Sequence, residues 1–277
     1  MRDEPMPRSG GCGEGDPDPD APAQTRAAAT GGHNATARYR REVGAITARW
    51  PFTARLVRDA NSFHRRASAW AVTAGGCSGV VYAAAGYPPE GEPPLHAPAA
   101  RENPGALFGY CDPSGKVTAV LAGTLAMADP EHVSTWTARW ADPEAVLGAP
   151  AAREMTRRGP VMVQAVLVPQ RLSSRECARI IAAYARMLPP GSSLALSMGT
   201  ADSRWPDLQD YLAAVSAVAG AQVRAHSPRQ AARWLARAGF ALHPFGVRDG
   251  ASWEGPAPVR GDSGQPWVMS VIGMLPG

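Results

Sequence analysis

Val80–Pro89, reading VVYAAAGYPP, decides how the chain is read. Two β-branched residues run into small ones and a glycine, which suits a buried parallel strand that breaks into a tight turn beneath a helix. A turn of this kind lets the backbone approach a ligand closely, because a side chain at the glycine would stand in the way. Here only Gly86 lies in the turn proper, after Ala83, Ala84 and Ala85. From these ten residues alone a core strand followed by a Pro-rich loop is the plainer reading, since one glycine after an apolar run is a weak signal.

The surrounding sequence supports an α/β domain. At 277 residues the chain buries a substantial core. Residues 1–20 carry six acids against Arg2 and Arg8 among Gly and Pro, so residues 1–30 are expected to be a disordered acidic tail. Residues 31–277 are then one domain, with a helical segment over 31–72 capping a core over 73–277. Removing the tail's charge of −4 from the total of +4 leaves +8, nearly all of it arginine, since Lys116 is the single lysine. Eight arginines between Arg38 and Arg66 are scattered along helical sequence without a recognition motif, so they read as a solvated face, with no nucleic-acid partner.

Cys12, Cys77, Cys111 and Cys177 are widely separated and form no CxxC pair. With no secretory signal, a cytoplasmic location is expected, with neither a zinc knuckle nor a disulfide framework. No apolar run approaches the ~20 residues a membrane span needs, so no membrane association is expected. The six histidines show no metal spacing, and no metal is expected.

Ala37 to Trp70 reads as two helices broken at Pro51, with Ile46, Phe52, Leu56, Phe63 and Trp70 on the buried side. Apolar runs follow at Gly79–Ala84, Gly105–Tyr110, Val117–Leu125, Ser134–Ala138 and Val161–Val168, as in a sheet built from βαβ units. Ser173 and Glu176 form a capping box for a helix with an apolar stripe at Ile180, Ile181, Tyr184 and Leu188. A strand over Ser193–Met198, a helix over Trp205–Ala219 and a helix capped at Ser227 come next. Ala241–Val247 and Trp267–Met274 close the sheet as an antiparallel, hairpin-like pair.

Several of these segments together resemble one family, the S-adenosyl methyltransferases that open on a Leu-Gly-Gly-Lys-Asp-Asn element. Gly31-Gly32-His33-Asn34 is similar to that opening, and Ala60–Ala67 (ANSFHRRA) to the helix Glu-Asn-Arg-Ala-Phe-Leu-Arg-Arg-Ala. Val80–Pro89 falls on Phe-Leu-Asp-Ile-Gly-Thr-Gly-Leu-Pro-Thr and keeps Gly86 and Pro88. Phe108–Pro113 (FGYCDP) falls on Tyr-Val-Asp-Asn-Asp-Pro and keeps Asp112 and Pro113, and Ala138–Glu144 falls on Ala-Asp-Leu-Arg-Asp-Pro-Glu. Leu188–Thr200 and Gly239–Val247 match late strands in place and wording, so the resemblance spans about Gly31 to Gly273.

The resemblance implies a Rossmann-like class I methyltransferase sheet, mostly parallel with an antiparallel C-terminal hairpin, helices on both faces and an N-terminal helical cap. It implies S-adenosylmethionine as cofactor and a small-molecule substrate, with cofactor-binding positions at Gly31, Gly32, Tyr82, Gly86, Tyr110, Asp112 and Arg139. No catalytic residue is named, since methyl transfer works chiefly by alignment. Tyr82 stands in place of the first-strand aspartate, Ala84 in place of a glycine, Tyr110 in place of the ribose-binding acid and Arg139 in place of the acid near the adenine. Losing the paired hydrogen bonds of the ribose acid would cost on the order of 2–5 kcal/mol. Two activities therefore stand side by side: methyl transfer to a small-molecule nucleophile, or a catalytically silent relative that binds another ligand or a protein partner. An enzyme that reuses the pocket without a methyl donor is a third. Tyr82 and Tyr110 are expected at the carboxyl ends of neighbouring strands, in the ligand crevice. Gly261–Pro266 (GDSGQP) resembles a serine-protease nucleophile motif, but too little chain follows it to complete such a fold.

Overall fold

A computed structural model describes residues 18–200, 205–252 and 267–277. The sheet has eight strands: β1 (Gly79–Ala83), β2 (Leu107–Asp112), β3 (Val133–Thr137), β4 (Val161–Val166), β5 (Ser193–Thr200), β6 (Ala241–Leu242), β7 (Arg248–Asp249) and β8 (Trp267–Met274). Their order is β3-β2-β1-β4-β5-β8-β6, with β7 also paired to β8. β1 to β5 are parallel, and β8 runs antiparallel to β5, β6 and β7. This is the mostly parallel sheet with antiparallel C-terminal strands that the resemblance implies.

The elements follow from local chemistry. β1, β2 and β4 are buried at every residue, so both faces are apolar and the strands read as continuous hydrophobic runs. Pro51 separates α2 (Ala37–Arg49) from α3 (Phe52–Thr73), while α4 (Ala97–Glu102) lies between β1 and β2 and the short helices α6 (Pro143–Gly148) and α7 (Pro150–Arg158) lie between β3 and β4. Both halves of the Ser173–Glu176 capping box form at the start of α8 (Ser174–Met187), and Ser227 with Gln230 does the same for α10 (Pro228–Arg237). Gly109 in mid-β2 lies under Trp136, where a Cβ would collide with the indole.

Three expectations change. The run Val117–Leu125 is helical: Ser114 Oγ accepts from Val117 N at 3.1 Å and starts α5 (Gly115–Leu121), which runs into a single π turn over Ala122–Ala126. Its buried Val117, Leu121 and Leu125 recur every four residues, a helical spacing. The late strand expected over Ala241–Val247 keeps only Ala241–Leu242, since Gly246 N bonds His243 O at 2.7 Å and turns the chain. Ala21–Ala29, expected to belong to a disordered tail, is instead a helix, α1, with Ala21, Ala23 and Gln24 buried. Pro22 in its first turn and Gly31 just beyond its end, at φ +82°, explain where it starts and stops. Cys12 and the Gly261–Pro266 motif lie outside the described residues.

The core has a layer on each side of the sheet. Val81, Ala83, Ile180, Tyr184 and Trp234 pack on one face. Val80, Tyr82, Phe63, Phe108 and Leu121 pack on the other. A third cluster joins α1, α2, α3 and α9 (Leu208–Ala219) above the sheet's carboxyl edge through Ala21, Val43, Ile46, Leu56 and Tyr211. Among the described residues no helix is long and apolar enough to cross a membrane.

Candidate functional site

Strand order reverses direction between β1 and β4, and in open α/β sheets the ligand crevice lies outside the carboxyl ends at such a point. A cavity of about 380 Å³ sits there, of a size that accepts a small ligand. One end is charged, walled by Arg26, Asp112, Arg139 and Arg171. The other is apolar, walled by Val43, Ile46, Leu56 and Val57 of α2 and α3 and by Tyr211 and Val215 of α9. No histidine is among the described residues that line it.

The turn after β1 forms part of the charged end. Ala84 has φ +55° and Gly86 φ +70°, so the position where the family has a glycine holds an alanine in the left-handed region. Asp112, at the end of β2, braces this turn: Oδ2 accepts from Gly86 N at 3.0 Å and Oδ1 from Ser114 N at 3.1 Å. Arg26 of α1 crosses above it, donating through Nη2 to Ala84 O and through Nη1 to Val166 O, both at 2.8 Å. A Cβ at Gly86 would displace that guanidinium, and the φ of +70° itself favours glycine here. Burial pushes the Asp112 carboxyl above its ordinary range, and the nearby Arg26 pulls it back. Burial likewise lowers the Arg26 pKa, with Asp112 favouring its charged form and Arg171 opposing it. α1 is anchored by Asp20, whose carboxylate accepts from Ser114 Oγ and pairs with Lys116 Nζ at 3.1 Å.

The turn after β4 is held differently. Leu167 also has φ +55°, and its amide donates to Ser197 Oγ at 3.1 Å. Ser197 Oγ bonds His64 Nε2 at 2.8 Å, and His64 Nδ1 bonds Gln164 Oε1 at 2.7 Å. The amide oxygen only accepts, which assigns the ring proton to Nδ1 and leaves Nε2 to accept from the serine. Gln164 Nε2 reaches Ser68 Oγ at 3.0 Å, and Ser68 Oγ bonds the Tyr82 hydroxyl at 2.7 Å. All of these side chains are buried. Burial pushes the His64 pKa down to about 3, so the imidazole is neutral and the chain of bonds carries no net charge.

The residues expected to bind cofactor divide into three groups. Asp112 and Arg139 line the cavity, and Gly86 lies in the turn beneath Arg26. Gly31 and Gly32 follow α1, and Gly32 borders a smaller recess with Arg26 and Tyr87. Tyr82 and Tyr110 are a correction, because neither lines the cavity. Their rings stack at 4.5 Å inside the core layer that holds Phe63 and Phe108, and their hydroxyls bond Ser68 and His96. Strand alternation turns both side chains into that layer, away from the carboxyl edge. Trp136 packs over Gly109 and does not line the cavity, and His132 bonds Asp129 at 2.9 Å. Sequence reading missed Arg26, Arg171 and the His64–Gln164–Ser197 chain. Pro22 and Gly31 are the sequence signals that mark Arg26 as helical.

The chain matches a family model described as S-adenosyl methyltransferase over residues 19–275. No curated protein matches it. Among solved structures, a candidate methyltransferase from Thermobifida fusca is similar at 24% identity and TM-score 0.79, covering 92% of this chain and 94% of that one. A DUF574 family protein from Streptomyces avermitilis is similar at 21% identity and TM-score 0.79, covering 92% and 97%. The magnesium protoporphyrin IX methyltransferase of Synechocystis, with bound S-adenosylhomocysteine, shares 16% identity at TM-score 0.52, covering 81% and 87%. These likenesses establish the fold, and the match over residues 19–275 establishes the lineage: the chain belongs to the S-adenosyl methyltransferase family.

Proposed function

We propose that the cavity takes S-adenosylmethionine at its charged end and a small apolar nucleophile at its other end, and that the protein transfers a methyl group between them. The observation that carries this reading is the position of the cavity, outside the carboxyl ends of β1, β2, β4 and β5 and against the Gly86 turn. Its lining fits the group. Asp112 uses one lone pair on each oxygen for a backbone amide and keeps others free to accept, so it replaces the expected role of position 110. The guanidinium of Arg26 above Gly86 suits the carboxylate of the methionyl end.

When bound, S-adenosylmethionine would supply an electrophilic methyl group. The chain's own contribution is to hold a nucleophile in line and to exclude water. Val43, Ile46, Leu56 and Val57 supply an apolar wall that excludes water and takes a flat or aliphatic body. The described lining offers no imidazole to act as base, which favours a nucleophile that is already unprotonated or acidic enough to ionise in water. Cys77, Cys111 and Cys177 are free and buried, which fits work in the reducing cytoplasm.

Calorimetry of the full chain with S-adenosylmethionine tests the reading. Saturable binding at micromolar to sub-millimolar ligand is expected. No heat and no thermal shift at millimolar ligand would overturn it and favour the silent relative.

A further inference from the structure

α8 and α10 pack side by side on one face of the sheet. Ile180, Ile181 and Tyr184 of the first share a core cluster with Ala231, Trp234 and Leu235 of the second, and Trp234 Nε1 donates to Ser174 Oγ at 2.9 Å across the seam. The opposite side of each helix is left to solvent, and arginines fill it. Arg175, Arg179 and Arg186 on α8 recur after four and seven residues, and Arg229, Arg233 and Arg237 on α10 after every four, so each set forms one exposed row. Glu176 is the single carboxylate on the two helices, and its capping box with Ser173 holds it at the start of α8. Six arginines against that one acid leave a charge of +5. On other helices arginines stand against acids: Arg38 with Glu42, Arg55 with Asp59, and Arg157 and Arg158 with Glu154. None of the six on α8 and α10 has an ion pair or a side-chain hydrogen bond among the described residues, and none lines the cavity.

We propose that this two-row face docks an acidic helix of a partner protein, independently of what the cavity binds. Residues four apart on a helix lie about 6 Å apart along its axis, and the axes of packed helices lie about 8–10 Å apart. A helix with carboxylates every four residues carries the same repeat. Laid along the seam, it meets a row of guanidinium groups on each side, and each planar guanidinium pairs with a carboxylate through parallel N–H···O bonds. Ala182 and Ala236 stand among the arginines on the solvent side, small enough for a helix backbone to approach and too short to anchor in a bilayer. No aromatic residue stands in either row to stack on a base, and two helices side by side are broader than the DNA major groove of about 12 Å. Carboxylates on a helix therefore match this face better than a lipid surface or a duplex does.

The test is fluorescence anisotropy on the full chain at low salt with a labelled, acetylated helical peptide repeating Glu-Ala-Ala-Ala. Saturable binding is expected, and it should fade as salt screens the charges. Reversing one arginine in each row, Arg179→Glu with Arg233→Glu, should weaken it by about tenfold or more. Reversing two exposed arginines elsewhere, Arg58→Glu on α3 with Arg101→Glu on α4, makes the same change in net charge and should leave affinity within about twofold. A peptide with the same residues but its glutamates grouped at one end should bind several-fold more weakly, since it lacks the repeat. If the reversed pair melts lower than the parent, Arg179→Gln with Arg233→Gln reads the same loss without new charges. No binding to the parent would make the face a merely solvated one and overturn the proposal. An equal loss in the Arg58 and Arg101 variant, or equal affinity for the grouped peptide, would also overturn it. So would tighter binding of a DNA duplex, or of phosphatidylglycerol-containing vesicles, that depends on Arg179 and Arg233, because it would assign the face to phosphates.

Discussion

Two turns lie side by side at the cavity, after the paired strands β1 and β4, and each holds a residue other than glycine at φ +55°: Ala84 after β1 and Leu167 after β4. The first is held by charge, with the Asp112 carboxylate below it and the Arg26 guanidinium above it. The second is held by a neutral chain of bonds from Leu167 N through Ser197 and His64 to Gln164. Arg26 also touches the second turn through Val166 O, so one side chain from α1 ties both walls together. The difference teaches where ligand sensitivity should lie. The charged turn changes its balance when an ion arrives, whereas the neutral one keeps a fixed frame beside it.

The sharpest way to break this comparison is Asp112→Ala. It strips two backbone amides of their acceptor and leaves Arg26 without its countercharge, so a loss of about 3–5 kcal/mol is expected in urea unfolding. A loss below about 1 kcal/mol would show that charge does not hold the first turn. His64→Ala should follow at about 2–4 kcal/mol, combining a cavity with unpaired groups at Gln164 and Ser197.

Acid titration separates the turns by sign. The folded His64 pKa of about 3 lies below its ordinary 6.5, so its contribution is present above pH 6.5 and is lost as pH falls towards 3. The folded Asp112 pKa is raised, so its contribution is full below the ordinary 3.8 and is lost as pH rises through the folded value. Unfolding free energies from pH 3 to 7 should therefore slope less steeply upward in His64→Leu than in the parent, and more steeply upward in Asp112→Asn. Equal slopes in all three would remove the distinction. The smallest effect belongs to the turn residues themselves. Ala84→Gly should stabilise by about 0.5–1 kcal/mol by relieving the left-handed alanine. Leu167→Gly should destabilise by about 1 kcal/mol or more, because a buried leucine side chain is lost with the strain.

Much of this architecture was legible in the residues. Ser173 with Glu176, Ser227 with Pro228, and Pro51 fix helix ends through local chemistry, and the continuous apolar runs mark buried parallel strands. Those runs hide which residue faces which side, since both faces are apolar. Tyr82 and Tyr110 were therefore expected at the crevice and lie in the core instead. Val117–Leu125 misled for a related reason: its apolar residues are dense enough to mimic a strand, and only Ser114's capping bond starts the helix. Arg26 was hidden because its role comes from contacts 58 and 140 residues away in sequence, which no local pattern encodes.

Hydrogen exchange with and without S-adenosylhomocysteine tests the central claim most directly, because it reports on both turns at once. The account predicts slower exchange at Ala85–Gly86 and at Leu167–Val168 when ligand binds, with α1 protected alongside them. Protection confined to a separate recess lined by Leu212 and Ser216 of α9 and by Pro228 and Gln230 of α10, or no change at either turn under saturating ligand, would contradict it.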